Sequence, residues 1–211
     1  MQEDTLKQFL PATESWFRKT FGEPTKIQRE AWPAIADGKH VLVSAPTGTG
    51  KTLSAFLVFI DQLGGLAGRG ELKEELYVIY VSPLKSLAGD IRENLRKPLE
   101  GIGAEAPGES KPESRPGNPS IGQIQAAIRT GDTPQKERQR MVKHPPHILI
   151  ITPESLYLML TSKSGRQVLK TAKAIILDEL HALIDTKRGA HLMLSVARLD
   201  KLCGRRLQRI G

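Results

Sequence analysis

Short continuous runs of apolar residues alternate along this chain with longer stretches of mixed polarity. Residues 148–151 read Ile-Leu-Ile-Ile and residues 175–177 read Ile-Ile-Leu, which is typical of strands that a sheet buries on both faces. The mixed stretches between such runs are suited to helices. This alternation of strands and helices predicts a mostly parallel, doubly wound α/β domain with helices on both faces of the sheet.

Two helices are predicted before the alternation begins. In the first, Trp16, Phe17 and Phe21 share an apolar face, Thr13 is the predicted N-cap and Gly22 the predicted stop. The strands predicted further along are 41–44, 76–82, 121–129, 147–152, 174–177 and 207–210. The predicted helices that follow the first are 26–35, 50–63, 84–97, 134–142, 153–160, 166–170 and 189–202.

Two segments interrupt this alternation. Residues 64–70 are rich in glycine, which predicts a loop. Residues 101–120 contain four prolines and four glycines, a composition that buries little apolar surface and predicts a mobile insertion. We therefore predict an N-terminal helical segment over residues 1–40 and an α/β domain over residues 41–211.

The segment 45–52, Ala-Pro-Thr-Gly-Thr-Gly-Lys-Thr, joins a predicted strand to a predicted helix. Backbone N–H groups of such a loop, together with the helix dipole, bind phosphate. In this pattern the lysine reaches the β- and γ-phosphates and the last hydroxyl binds Mg²⁺, which predicts ATP and Mg²⁺ as ligands. The predicted binding residues are Thr47, Gly48, Thr49, Gly50, Lys51 and Thr52, and Ala45 replaces the usual first glycine.

Asp178, Glu179 and His181 directly follow the predicted strand 174–177. Ligands of an open parallel sheet gather at the carboxyl ends of its strands. Asp178 is therefore predicted to bind Mg²⁺, Glu179 to deprotonate the attacking water, and His181 to link the nucleotide to a neighbouring element. The alternative is an acidic helix N-terminus that only complements the helix dipole.

Gln28 precedes the phosphate loop, and its amide matches the N6/N7 edge of adenine, although a solvent-facing helix glutamine is the alternative. Three strand-to-helix turns offer N–H groups and cations to nucleic-acid phosphates. The ordinary interpretation of two of them is that Ser82 or Thr152 caps a helix that begins with Pro83 or Pro153. For the basic residues that follow the third turn, after Arg129, the alternative is a solvated helix face. The candidate contacts are Pro83, Lys85, Arg129, Thr130, Gly131, Thr152, Pro153 and Glu154.

The formal net charge of +8 favours a polyanionic partner, with a solvated basic surface as the alternative. A single cysteine, Cys203, excludes an internal disulfide and a zinc site built from several cysteines. The first twenty residues carry no signal-peptide pattern and no apolar stretch approaches membrane-spanning length. We therefore expect a cytoplasmic protein that does not enter a membrane.

Together these motifs resemble the first motor domain of superfamily-two helicases of the DExH type, and within them the large helicase-related (Lhr) family. The resemblance rests on FGEPTKIQREAWPAI, APTGTGKTLSAFL, VSPLKSLAGDIRENLRKPL, RTGDTPQKERQRM, TPESLYLML and DELHALIDTKRGAHLMLSVARL. It implies a RecA-like P-loop NTPase domain in which Thr25 and Gln28 contact the nucleotide. It also implies an ATP-dependent 3′→5′ DNA translocase that loads on single-stranded DNA and is linked to DNA repair.

In this family a Ser-Ala-Thr motif follows the last predicted strand, and a second RecA-like domain supplies arginines to the transition state. The sequence reaches Gly211 before that motif. We therefore expect one half of a motor, weak or inactive in ATP hydrolysis by itself. A DExH RNA helicase and a non-catalytic fragment that binds nucleotide and nucleic acid remain the alternatives.

Overall fold

In the computed structural model, five strands form one all-parallel sheet. The structure describes residues 4–44, 51–83, 85–105 and 123–211, and only the backbone of residues 51, 52 and 85–93. The strands are β1 (Val78–Val81), β2 (Ala126–Arg129), β3 (Ile148–Ile151), β4 (Ala174–Leu177) and β5 (Gln208–Ile210). Their order is β2-β3-β1-β4-β5, and every neighbouring pair is parallel. This arrangement confirms the predicted α/β class.

Eight α-helices are described. They are α1 (Pro11–Phe21), α2 (Lys26–Ala36), α3 (Lys51–Gly68), α4 (Lys85–Glu105), α5 (Gln135–Lys143), α6 (Pro153–Thr161), α7 (Lys163–Leu169) and α8 (Lys187–Cys203). Two short 3-10 helices, Thr5–Gln8 and Leu180–Ala182, complete the described helical structure. No helix in the described part of the chain is long and apolar enough to cross a membrane.

Contacts divide the chain into two compact units, one of residues 1–73 and 93–124 and the other of residues 74–92 and 125–211. The predicted division between residues 40 and 41 stays a prediction. The second unit contains the whole sheet. In it Ile79, Leu149 and Ile175 pack with apolar side chains of α6, α7 and α8 into one core. The opposite face of the sheet, which includes Tyr80 and Ile150, is also buried, so the central strands are continuously apolar.

An aromatic cluster forms the centre of the first unit. The rings of Phe9 and Phe17 meet the ring of Trp32 edge-on, with centroids 4.9 and 5.2 Å away. Trp16 and Phe21 extend the cluster along α1. Edge-to-face aromatic pairs of this kind add roughly 0.5–1.5 kcal/mol each beyond the area that they bury. Trp16 and Phe17 are buried, as the predicted apolar face of α1 requires, whereas Phe21 is 52% exposed.

The predicted N-cap at Thr13 is wrong, because Thr13 is buried inside α1. The helix begins at Pro11 with Leu10 in the capping position. Proline suits the first position, since it has no N–H group to satisfy and its φ angle is already helical. Gly22 ends the helix with φ +75°, as predicted.

The predicted strand 41–44 is also wrong. Only Val41 makes a β-bridge, and Leu42 is 75% exposed. The run is apolar in composition but half exposed in the structure, which is not the environment of a central parallel strand. The predicted strands 76–82, 147–152 and 207–210 are present but shorter. The predicted strand 121–129 is reduced to β2: residues 123–125 are not part of the sheet, and residues 121–122 lie outside the described residues.

The glycine-rich segment 64–70 is not a loop as predicted, because α3 continues to Gly68. Leu63 and Ala67 are buried on this helix, and their packing outweighs the cost of about 1 kcal/mol that each helical glycine carries. The predicted insertion 101–120 begins within α4, which ends at Glu105. Ile102 is fully buried there, and residues 106–120 lie outside the described residues.

Candidate functional site

Four of the predicted motif turns lie at one edge of the sheet. They follow the carboxyl ends of β1 at Pro83, of β2 at Arg129, of β3 at Thr152 and of β4 at Asp178. These four strands are adjacent and parallel, so their carboxyl ends point in one direction. In open parallel sheets this edge is where ligands bind.

The Asp178 carboxylate is held by hydrogen bonds at both oxygens. Its Oδ2 accepts the hydroxyl of Tyr80 at 2.5 Å, and its Oδ1 accepts the backbone N–H of Glu179 at 2.9 Å. No basic side chain among the described residues forms an ion pair with it. A carboxylate with spare lone pairs suits Mg²⁺, which takes one or two protein carboxylates together with phosphates and water.

Glu179 has a left-handed backbone, with φ 49° and ψ 42°. Non-glycine residues rarely adopt this conformation, which costs about 1 kcal/mol or more and concentrates at functional sites. Its carboxylate lies 3.1 Å from Nε2 of His181, whose side chain is 77% exposed. The structure therefore brings together Asp178, Glu179 and His181, with Tyr80 as a fourth member that the sequence did not indicate.

Thr25 and Gln28 are brought together at the start of α2. The backbone N–H of Thr25 donates to Oε1 of Gln28 at 2.9 Å, and the backbone N–H of Gln28 donates to Oγ1 of Thr25 at 3.3 Å. This reciprocal capping box satisfies two N–H groups of the helix end. Gln28 is only 4% exposed, so it is not a solvent-facing helix residue, and its amide nitrogen donates to none of the described residues.

The predicted phosphate-loop residues 47–50 lie outside the described residues. Helix α3 begins at Lys51 and continues through Thr52. The last two residues of the predicted motif are therefore helical, as predicted. The side chains of these two residues and of Lys85 are outside the description, and Pro83 is buried in the turn between β1 and α4.

The turn after β2 is closed by its own side chains and by Arg138 of α5. The backbone N–H of Thr130 donates to Oγ1 of Thr133 at 2.9 Å. The guanidinium of Arg138 donates from Nε to the carbonyl of Thr133 at 2.6 Å and from Nη2 to the carbonyl of Gly131 at 2.7 Å. Burial, with the nearby Arg138 cation, lowers the pKa of Arg129. Within the described residues Arg129 has no carboxylate partner, so its charge is available to an anion.

The turn after β3 is a capped helix start. Oγ1 of Thr152 accepts the backbone N–H of Ser155 at 3.4 Å, and Pro153 is the first residue of α6. The Glu154 carboxylate accepts two hydrogen bonds from Arg188, at 2.5 and 3.1 Å. Arg188 thereby lowers the pKa of Glu154. The capping interpretation explains Thr152 and Pro153, and the carboxylate of Glu154 is already paired with a cation.

Three neighbours of the predicted residues were missed by sequence reasoning. Arg138 belongs to the basic run on the predicted helix 134–142, which was interpreted as a solvated face. Arg188 stands in the first turn of α8, inside a segment that carries the family resemblance but in which no role was predicted for it. Tyr80 carries the only polar atom among the side chains of β1, and this is the one signal that could have singled it out, since a buried Tyr hydroxyl usually has a partner.

Comparison with known proteins identifies the family of the chain. The family model described as DEAD/DEAH box helicase matches residues 25–210. The chain belongs to this helicase family. The match includes the phosphate-loop segment, the three strand-to-helix turns and the acidic sequence Asp-Glu-Leu-His.

Two curated relatives are each 48% identical to the chain. One is the Lhr helicase/probable uracil glycosylase of Mycolicibacterium smegmatis, over 208 residues, and the other is the ATP-dependent helicase Lhr-Core of Methanothermobacter thermautotrophicus, over 194 residues. The matches cover 99% and 92% of this chain. The chain spans only 13% and 22% of the length of these relatives.

A solved structure of the Mycobacterium smegmatis helicase Lhr bound to ssDNA and AMP-PNP is similar over 99% of this chain and 25% of that one. The two share 48% sequence identity, and the superposition has a TM-score of 0.86. The fold described above is therefore that of a RecA-like helicase domain.

Proposed function

We propose that this chain is the ATP- and nucleic-acid-binding motor domain of an Lhr-type, ATP-dependent DNA helicase that translocates 3′→5′. The single observation that carries the proposal is the carboxyl edge of the sheet, where the acidic motif and three candidate phosphate-binding turns follow four adjacent strands. The similarity to Lhr helicases supports the same conclusion. A cytoplasmic location and a role in DNA repair are part of the proposal on the strength of the family resemblance alone.

In the nucleotide site, Lys51 binds the β- and γ-phosphates, while Thr52 and Asp178 are the protein ligands of Mg²⁺. When bound, Mg²⁺ neutralises charge that develops on the phosphates during transfer. Glu179 holds the attacking water and takes its proton. His181, which contacts the Glu179 carboxylate, connects the state of this site to the movement of the protein. AMP-PNP in a similar helicase supports ATP as the nucleotide.

Gln28 contributes adenine recognition. Its side-chain oxygen is occupied by the backbone N–H of Thr25, so the amide nitrogen is the group available to the base. That nitrogen would donate to N7 of adenine. Thr25 acts by holding Gln28 in place, and the glycines and threonines of residues 47–50 surround the phosphates.

At the sheet edge, the turns of Pro83, Arg129 and Thr152 bind the backbone of a single strand. Phosphate contacts of this kind position a strand without determining its sequence. Arg129 provides a cation without a carboxylate partner among the described residues, and Arg138 fixes the shape of its turn. The ssDNA bound to a similar helicase favours DNA over RNA as the partner.

Fluorescence anisotropy with a labelled single strand at rising salt tests this proposal. Removing one phosphate contact reduces the slope of log K against log salt by about 0.7 on a single strand. We expect Arg129→Gln to show that reduction, while Lys143→Gln, which removes an exposed charge from α5, leaves the slope unchanged. Identical slopes for Arg129→Gln and the unmodified chain would contradict the assignment. Tighter binding of an RNA strand of the same sequence would favour the RNA helicase alternative.

A further inference from the structure

The buried hydroxyl of Tyr80 contacts the acidic motif from a neighbouring strand. Tyr80 is 1% exposed and lies opposite Ile176 in the parallel pairing of β1 with β4. Side chains two residues apart on a strand point to the same face. Asp178, two residues beyond Ile176, therefore faces the same side as Tyr80, and the long phenol ring reaches its carboxylate at 2.5 Å.

The two hydrogen bonds to Asp178 reach different oxygens of its carboxylate. The backbone N–H of Glu179 donates to Oδ1 and the Tyr80 hydroxyl donates to Oδ2. Together they fix the plane of the carboxylate and leave one lone-pair direction on each oxygen. The backbone donor does not depend on the side chain at position 179, so among the described residues the Tyr80 hydroxyl is the side-chain group that sets the orientation of Asp178.

We propose that Tyr80 is a positioning residue that aims the Asp178 carboxylate at the Mg²⁺ that accompanies ATP. The inference rests on the proposed function, because it takes Asp178 as a ligand of that ion. Groups that hydrogen-bond to metal-binding carboxylates set ligand direction, and their loss typically lowers metal affinity 10- to 100-fold. A purely structural hydroxyl would affect stability without changing the dependence of nucleotide binding on Mg²⁺.

The test is the affinity of the 211-residue protein for a non-hydrolysable ATP analogue, measured by calorimetry with Mg²⁺ and with EDTA. Tyr80→Phe keeps the ring and removes the hydroxyl. We expect it to leave binding in EDTA unchanged and to lower the Mg²⁺-dependent gain in affinity about 10- to 100-fold. Tyr157→Phe is the matched control, because the Tyr157 hydroxyl makes no hydrogen bond among the described residues and its ring lies against His191 and Arg198 of α8, away from Asp178 in the sequence.

Asp178→Asn separates the two possible failures. If the unmodified protein gains no affinity from Mg²⁺, or Asp178→Asn keeps the full gain, the proposed Mg²⁺ ligand is wrong. If Asp178→Asn loses the gain and Tyr80→Phe keeps it, the inference about Tyr80 is wrong while the proposed function stands.

A second measurement does not depend on the folding of Tyr80→Phe. Fluorotyrosine replaces the three tyrosines, and the ¹⁹F resonances are assigned with Tyr77→Phe and Tyr157→Phe, which leaves Tyr80 by elimination. Addition of Mg²⁺ to the protein with bound analogue should shift the Tyr80 resonance and leave that of Tyr157 in place. An unchanged Tyr80 resonance would contradict the inference.

Discussion

Gly101→Ala should destabilise the first unit, although alanine normally favours a helix over glycine. Gly101 lies within α4, and an added Cβ would stand 2.1 Å from Nε1 and 2.4 Å from Cδ1 of Trp16. The rigid indole is itself only 8% exposed. Its ring contacts Phe17 and Phe21, so it has little room to retreat.

Two opposing effects decide the sign of the change. Replacing a helical glycine by alanine stabilises by roughly 0.5–1 kcal/mol. To restore ordinary contact at 3.4 Å, the indole or α4 must move by about 1.3 Å, and overpacking of this size typically costs about 1–3 kcal/mol. We therefore expect Gly101→Ala to lower the free energy of unfolding by about 1 kcal/mol, and by no more than about 2.5 kcal/mol.

Urea denaturation followed by tryptophan fluorescence measures this difference. The midpoints are compared only if the dependence of the free energy of unfolding on urea concentration is the same in both proteins. Gly65→Ala in α3 is the matched control, since its Cβ would meet only the end of the Arg69 side chain at 3.4 Å. That variant should gain roughly 0.5–1 kcal/mol. A Gly101→Ala protein as stable as the Gly65→Ala protein would show that Trp16 does not pack against α4 at this position.

Three further predictions concern ionisation and nucleotide chemistry. Burial raises the pKa of Asp61, against the opposing hydrogen bond from the backbone N–H of Leu10, so the free energy of unfolding should fall as pH rises through the titration of this group. The stability of Asp61→Asn relative to the unmodified chain should therefore be greater at pH 7 than at pH 4 in denaturation curves. The same difference in free energy of unfolding at both pH values would contradict this. Lys51→Ala should weaken binding of an ATP analogue in calorimetry, because the lysine that we propose binds the phosphates is lost, whereas equal affinities would refute the site. The 211 residues alone should hydrolyse ATP barely above background with or without single-stranded DNA, since an arginine from another domain is worth about 10³–10⁵ in rate in related reactions. Glu179→Gln should then change this low rate little. Strong DNA-stimulated turnover by the monomer would overturn the expectation.

The strands of the sheet were predictable where burial on both faces requires an apolar residue at every position. β4 occupies the predicted residues 174–177, because a strand buried on both faces must be apolar at every position. The placement of Asp178 at the carboxyl edge followed from the same run of apolar residues. The strand predicted at 41–44 failed for the converse reason, since a short apolar run can also lie half exposed at the surface.

Features that depend on contacts between distant residues were not predictable. The extension of α3 through Gly64 and Gly65 opposes local propensity and is stabilised by buried residues such as Ala67. The hydrogen bond from Tyr80 to Asp178 joins residues 98 positions apart. The helical start of the predicted insertion likewise depends on the packing of Gly101 against Trp16, which local composition does not reveal.

The parallel order of four strands gives the sheet edge a fixed spacing. Neighbouring strands lie about 4.8 Å apart, so the turns after β2, β3, β1 and β4 are spread over roughly 14 Å. This interval is set by backbone hydrogen bonds between strands and not by any side chain at the edge. Substitutions in the three turns that we propose bind a nucleic-acid strand can therefore change how tightly its phosphates are held, while the spacing of these turns stays the same.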